Sequence, residues 1–150
     1  MALIGRDSEL ALVRRAIARS HGVLICGPAG VGKSAVAAEA AGRLAQPPVA
    51  RIVATAAGRS VPFGALAPIL DDAVIGGHAT RFAGSARPPV LLVDDLQEID
   101  EPSASVLLSL VANGSIRLLG TLRDGTKPPD AVTALWKENL VTRIDLPPLT

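Results

Sequence analysis

The sequence predicts an α/β fold in three layers, with a five-stranded, mainly parallel sheet flanked by helices. Two observations carry this. Short continuous apolar runs such as VLIC (23–26) and VLLV (90–93) have the length and composition of strands buried on both faces. They alternate with segments of helical period, and that alternation implies right-handed crossovers and parallel pairing.

In chain order, Leu10, Val13 and Ile17 recur at helical spacing after Asp7 and Ser8, which are expected to cap a first helix running to about Arg19. The first strand is 23–26, and the alanine-rich stretch 34–44 (SAVAAEAAGRL) suits a helix. Residues 51–55 (RIVAT) make a second strand, and 61–70 (VPFGALAPIL) a loop entering a short helix interrupted by Pro68. No element is assigned to 71–87. Residues 90–93 form the third strand. Pro102 then opens a helix with Val106, Leu107, Leu110 and Val111 on one face, stopped by Asn113 and Gly114. Residues 116–121 (IRLLGT) are the fourth strand, Asp130 is expected to cap a helix carrying Val132, Leu135 and a core Trp136, and 141–146 (VTRIDL) form the fifth strand.

At 150 residues, 49% of them hydrophobic, the chain suffices for one domain around one core. A net charge of +1 with no long basic run leaves no electrostatic footprint for DNA, and 2% aromatic residues leave little with which to stack bases. No apolar run approaches a membrane span, so the expectation is a cytoplasmic protein with no membrane partner. The lone Cys26 has no intrachain disulfide partner and ends a buried strand as a small apolar filler.

The strongest local signal is GPAGVGKS at 27–34, which fills the template G-x-x-x-x-G-K-[ST] between a predicted strand and a predicted helix. In this composition roughly 0.003 such matches are expected by chance. A polyphosphate carries several negative charges, and a glycine-rich turn into a helix lets backbone N–H groups close around them where side chains would obstruct. Gly27, Pro28, Ala29, Gly30, Val31, Gly32, Lys33 and Ser34 are therefore the expected phosphate-binding residues. Lys33 would reach the outer phosphates and Ser34 the magnesium ion that travels with the nucleotide. The three-layer core becomes that of a P-loop NTPase, binding ATP or ADP with Mg2+.

Two further signals fall at strand ends on the same edge, where ligands of such sheets bind. After four apolar residues, Asp94 is the expected magnesium ligand, and Asp95 is the candidate to orient or deprotonate the attacking water. Arg123, in GTLRD at 120–124, would bring a guanidinium near the terminal phosphate; the alternative is a surface arginine paired to Asp124.

With these motifs in hand, the chain resembles the signal-transduction ATPases with numerous domains, and within them the large ATP-binding transcriptional regulators of the LuxR type. The resemblance rests on LIGRDSE at 3–9, VPFGALAPIL at 61–70, VLLVDDL at 90–96, LLGTLRD at 118–124 and LPPLT at 146–150. It implies adenine contacts from the segment around Ile4, Gly5 and Arg6 and a sensor role for Arg123. Without it, Arg6 would read as a solvated charge at a helix start. Where relatives usually carry His, Trp and a small residue after the acidic pair, this chain has Gln97, Glu98 and Ile99. The stretch between Leu70 and Val90 is also short for the class.

With this resemblance, residues 1–150 are either one N-terminal ATPase domain of a larger regulator with helical sensor and DNA-binding domains, the reading that LPPLT at 146–150 favours, or a compact stand-alone relative. The expected function is a slowly hydrolysing, ATP-operated switch that controls transcription, with nucleotide-dependent self-association and no direct nucleic-acid contact from this domain. An AAA+ remodelling or DNA-loading ATPase, with Arg143 as its only candidate trans-acting arginine, and a non-hydrolysing scaffold are the alternatives. A small-molecule kinase would leave the N-terminal signature unexplained.

Overall fold

A computed structural model of the chain describes residues 6–66 and 88–148. Five strands, β1 (Gly22–Gly27), β2 (Ala50–Val53), β3 (Val90–Asp94), β4 (Arg117–Arg123) and β5 (Thr142–Asp145), form one sheet in the order β2-β3-β4-β1-β5. Every pairing is parallel, so the predicted α/β class with a five-stranded parallel sheet is what the chain adopts. The helices are α1 (Asp7–Arg19), α2 (Lys33–Gly42), α3 (Glu101–Ala112) and α4 (Asp130–Lys137), with short 3-10 turns at Ala57–Ser60 and Leu96–Glu98.

The alternation of side chains along each strand divides the core into two layers. Val23, Ile25, Leu92 and Leu119 face Leu10, Val13 and Ile17 of α1 and Val36, Ala37 and Ala40 of α2. Leu24, Leu91, Val93 and Leu118 face Ala104, Leu107 and Val111 of α3 and Val132 and Leu135 of α4. β1 and β3 are buried on both faces, which is why they read as unbroken apolar runs.

Three local expectations are corrected. Asp7 and Ser8 do not cap α1: Arg6 holds the N-cap position and no side chain caps it. Asp7 and Glu9 instead lie in the first turn, where their charges complement the helix dipole. Pro129, with its extended backbone, takes the N-cap place of α4, so Asp130 is the first helical residue. Trp136 is half-buried at the rim of the core rather than within it, with the Arg143 guanidinium 5.3 Å from its ring centre. The segment beyond Leu66, including Pro68, lies outside the described residues.

Close approach of backbones explains one glycine in particular. A Cβ added at Gly22 would stand 2.4 Å from the carbonyl oxygen and 2.8 Å from the amide nitrogen of Leu118, its ladder partner on β4. Backbone atoms held in a ladder cannot swing aside as a side chain can. Gly22→Ala is therefore expected to destabilise the domain by about 1–3 kcal/mol, the range for overpacking. A lower urea midpoint with unchanged slope would register this, and an unchanged midpoint would mean that β4 shifts freely.

Candidate functional site: a phosphate loop facing an acidic turn

The phosphate loop leaves β1 and enters α2 through two left-handed residues, Gly30 (φ +76°) and Gly32 (φ +97°). A side chain is strained at such angles. Gly32 is the N-cap of α2 and supplies no capping side chain, so the first-turn N–H groups of α2 lack a side-chain acceptor there. That turn also contains no acidic residue, which leaves the positive end of the helix dipole uncompensated locally and suited to an anion.

Inside the loop, Lys33 is nearly buried and its Nζ donates to the Pro28 carbonyl at 2.8 Å. Burial pushes its pKa down, and the carboxylates of Asp95 and Asp124 partly restore it. Arg6 closes the loop from the other side. It is buried, with Nη2 donating to the Val31 carbonyl at 2.8 Å and Nη1 reaching Glu9 at 3.4 Å. The solvated arginine that its position before a helix suggests is thus a brace under the phosphate loop.

Across the site, β3 ends in Asp94, and Asp95 follows in the left-handed conformation (φ 61°), which aspartate tolerates better than most residues. Thr121 of β4 holds both. Its buried hydroxyl accepts from the Asp95 N–H at 2.9 Å and lies 3.4 Å from Asp94 Oδ1. The following Leu96 drops over β4 because position 120 is glycine: a Cβ there would meet Leu96 Cδ1 at 2.5 Å. Gln97, also buried, links the turn to the end of β4, its Oε1 accepting from the Arg123 N–H at 3.0 Å and its Nε2 lying 3.4 Å from Asp95 Oδ1.

Together these elements wall a cavity of about 680 Å³, lined on one side by Gly30, Gly32, Lys33 and Ser34 and on the other by Asp95 and Arg123. The Ser34 hydroxyl and the Asp95 carboxylate are oxygen donors of the kind magnesium takes. Among the described residues no three His, Cys, Asp or Glu side chains form a metal cluster. Asp94 is set apart. Its carboxylate is buried, is not among the residues that line the cavity, and accepts from Arg51 Nε at 3.0 Å and Nη2 at 2.8 Å through the single oxygen Oδ2.

The family model of the AAA ATPase domain matches residues 2–81, just over half of the chain. The chain belongs to the AAA ATPase domain family. Solved structures agree on the fold. A chain of Hsp104, in its closed state with ATPγS and FITC-casein, is 16% identical with a TM-score of 0.59, covering 98% of this chain and 27% of that one. A DNA polymerase III gamma subunit-related protein from Thermotoga maritima is 13% identical with a TM-score of 0.53, covering 91% of this chain and 45% of that one. This AAA domain therefore spans about a quarter of the first and under half of the second. None of the curated proteins compared with it matches.

Of the residues singled out in the sequence of this AAA domain, Ala29, Gly30, Gly32, Lys33, Ser34, Asp95 and Arg123 meet at the cavity. Gly27, Pro28 and Val31 belong to the same loop, while Ile4 and Gly5 lie outside the described residues. Arg123 lines the cavity, and among the described residues Asp124 pairs with Arg143 at 3.9 Å and not with Arg123. Arg143 is engaged within its own chain, by Asp124, by Asp145 at 3.1 Å and by Trp136. Cys26 is fully buried and burial pushes its thiol up to about 11, in keeping with an inert apolar filler. No helix of the described residues is long and apolar enough to cross a membrane.

Thr121, Arg51 and Gln97 escaped the reading of the sequence. Thr121 and Arg51 lie on strands next to β3 and meet the acidic pair only through sheet register. Gln97 had a signal, its place two residues after the acidic pair.

Proposed function

We propose that this AAA domain binds ATP with Mg2+ and hydrolyses it slowly to ADP and phosphate, serving as a switch within a regulator of the LuxR type. The observation that carries the proposal is the meeting of the phosphate loop, Asp95 and Arg123 around one cavity. Backbone N–H groups of the loop and the start of α2 hold the phosphates, and Lys33 leaves the Pro28 carbonyl to donate to the outer ones. Ser34 and Asp94 are the residues that would hold a magnesium ion, which would supply charge neutralisation at the phosphate oxygens.

Asp95 orients a water for in-line attack on the γ-phosphorus and accepts its proton as the bond to the β,γ-bridging oxygen breaks. Its left-handed backbone, pinned by Thr121, keeps the carboxylate fixed. Arg123, at the end of β4, pairs with the γ-phosphate and loses that partner on hydrolysis. Because Gln97 ties the Arg123 backbone to the acidic turn, loss of the pairing is felt by both. The LIGRDSE signature supports the regulator reading: its Arg6 braces the phosphate loop, linking the N-terminal segment to occupancy of the site. Helical sensor and DNA-binding domains elsewhere in the protein would receive the signal. A ring-forming AAA+ ATPase is compatible with the same fold and cavity; Arg143, its candidate for acting on a neighbouring subunit, is engaged here by Asp124, Asp145 and Trp136 through exposed contacts that a partner could replace.

Mg-ATP at 100 times its dissociation constant is expected to stabilise the domain by about 2.7 kcal/mol, which raises the melting temperature by roughly 5–10 °C at this size. Asp95→Asn should keep that shift and release phosphate at least about 100-fold more slowly, the scale of general-base catalysis. A wild-type melt indifferent to nucleotide would defeat the binding reading, and undiminished turnover in Asp95→Asn would defeat the assignment of the base.

A further inference from the structure

The pairing of Asp94 with Arg51 sets a charge where the metal reading needs a free carboxylate. Arg51 stands opposite Leu92 in the β2–β3 ladder, and Val53 opposite Asp94. Alternation along the strands therefore puts the side chains of Arg51 and Asp94 on the same face of the sheet. There the guanidinium folds along the strand and gives two hydrogen bonds to Oδ2, while the Thr121 hydroxyl sits at Oδ1. The two partners are unequally committed. The Asp94 side chain is 3% exposed and has nowhere else to go, whereas that of Arg51 is 51% exposed and can turn into water.

A divalent cation held at or one water away from Asp94 would lie within a few ångströms of that guanidinium. Two positive charges so close to one carboxylate repel. Occupancy of Asp94 by Arg51 and by a metal ion is therefore antagonistic.

We propose that Arg51 is the resting counter-ion of Asp94, that a divalent cation gains this carboxylate only by displacing it, and that Arg51 thereby sets the site's affinity for Mg2+. The inference rests on the nucleotide-site reading above. In the wild type the exchange costs the metal one charge-assisted pair, a penalty that lowers its affinity about tenfold.

The test uses the full chain loaded with ADP, titrated with Mn2+ as a spectroscopic stand-in for Mg2+, with free Mn2+ read by electron paramagnetic resonance. Arg51→Gln is expected to bind Mn2+ about tenfold more tightly than wild type. Arg51→Lys, which keeps the charge but not the paired Nε and Nη2 bonds, should fall between wild type and Arg51→Gln. In an Asp94→Asn background, Arg51→Gln should change nothing, because the contested carboxylate is gone.

A second measurement needs no destabilising variant. In ADP-loaded wild type, saturating Mg2+ should shift and broaden the Arg51 Nε–H resonance, assigned by its loss in Arg51→Lys. Equal or weaker Mn2+ binding in Arg51→Gln, or an Arg51 resonance indifferent to Mg2+, overturns the proposal while leaving nucleotide binding standing. Failure of the wild type to bind ADP at all overturns both readings, and is distinguished by omitting the metal.

Discussion

Lys33→Ala is expected to lose nucleotide affinity about 100-fold, equivalent to about 2.8 kcal/mol, while the nucleotide-free protein melts within about 1 kcal/mol of wild type. The first number follows from losing a charge-assisted bond, or two, to phosphate oxygens at a site walled by protein. The second follows from the resting geometry. Lys33 is 8% exposed, among the described residues its ammonium donates to the Pro28 carbonyl alone, and burial already disfavours its charged form. Removing that charge relieves desolvation about as much as it forfeits the hydrogen bond. Calorimetric titration with ADP and ATP, alongside thermal melts without ligand, separates the two effects. An affinity unchanged in Lys33→Ala would remove the phosphate loop from the binding site, and a large fall in the ligand-free melting temperature would recast Lys33 as a structural residue.

Asp100→Ala is expected to be the most damaging change to the fold outside the site, at about 3 kcal/mol, or a fall of roughly 6–12 °C in melting temperature. Asp100 is 1% exposed and its carboxylate does two jobs. It caps α3 by accepting from Ser103 N at 2.9 Å, and it anchors the segment after β2 by accepting from Phe63 N at 2.8 Å and Ala65 N at 2.9 Å. Phe63 has a φ of 59°, so that segment is held in a backbone region that a bulky residue avoids. Deleting the carboxylate leaves these N–H groups without their acceptor.

The same residue sets a pH dependence. Burial pushes the Asp100 carboxyl up, but the N–H donors of Ala65, Ser103 and Phe63, with the Ser103 hydroxyl, more than offset this and hold it below its ordinary value near 3.8. A folded pKa below the unfolded one means stability that is fully present above pH 3.8 and is lost as pH falls through the folded value. Wild type should therefore shed stability on acidification below that point, and Asp100→Asn should lack this component of the loss. Parallel curves for the two proteins in acid-titrated denaturation would rule the assignment out.

The identity of Asp100 shows where reading a sequence stops short. Pro102 marks a helix start in the sequence, and an aspartate two residues before it is of a type that caps helices. That it also anchors Phe63 and Ala65, 37 and 35 residues away, depends on a loop brought alongside by the sheet. Asp7 and Asp130 had the same local credentials as caps and cap nothing. At Arg6, composition suggested solvent and the fold buried it under the phosphate loop. The acidic pair was legible as two adjacent carboxylates at a strand end, but not that only Asp95 would line the cavity while Asp94 would be taken by a guanidinium 43 residues earlier.

What the sequence determined by itself is whatever a short stretch of chain must satisfy alone. Strands buried on both faces have to be apolar throughout, and a backbone that wraps phosphate has to be glycine-rich and end in lysine and a hydroxyl. Hence the α/β class, the five strands and the loop at 27–34 were readable without coordinates. The tertiary structure decided the strand order β2-β3-β4-β1-β5, and with it every contact between strands. Ladder hydrogen bonds join backbone atoms common to all residues, so no side chain announces its neighbour across the sheet. The insertion of β4 between β1 and β3 is what sets Thr121 against the acidic pair and Arg123 beside the phosphate loop.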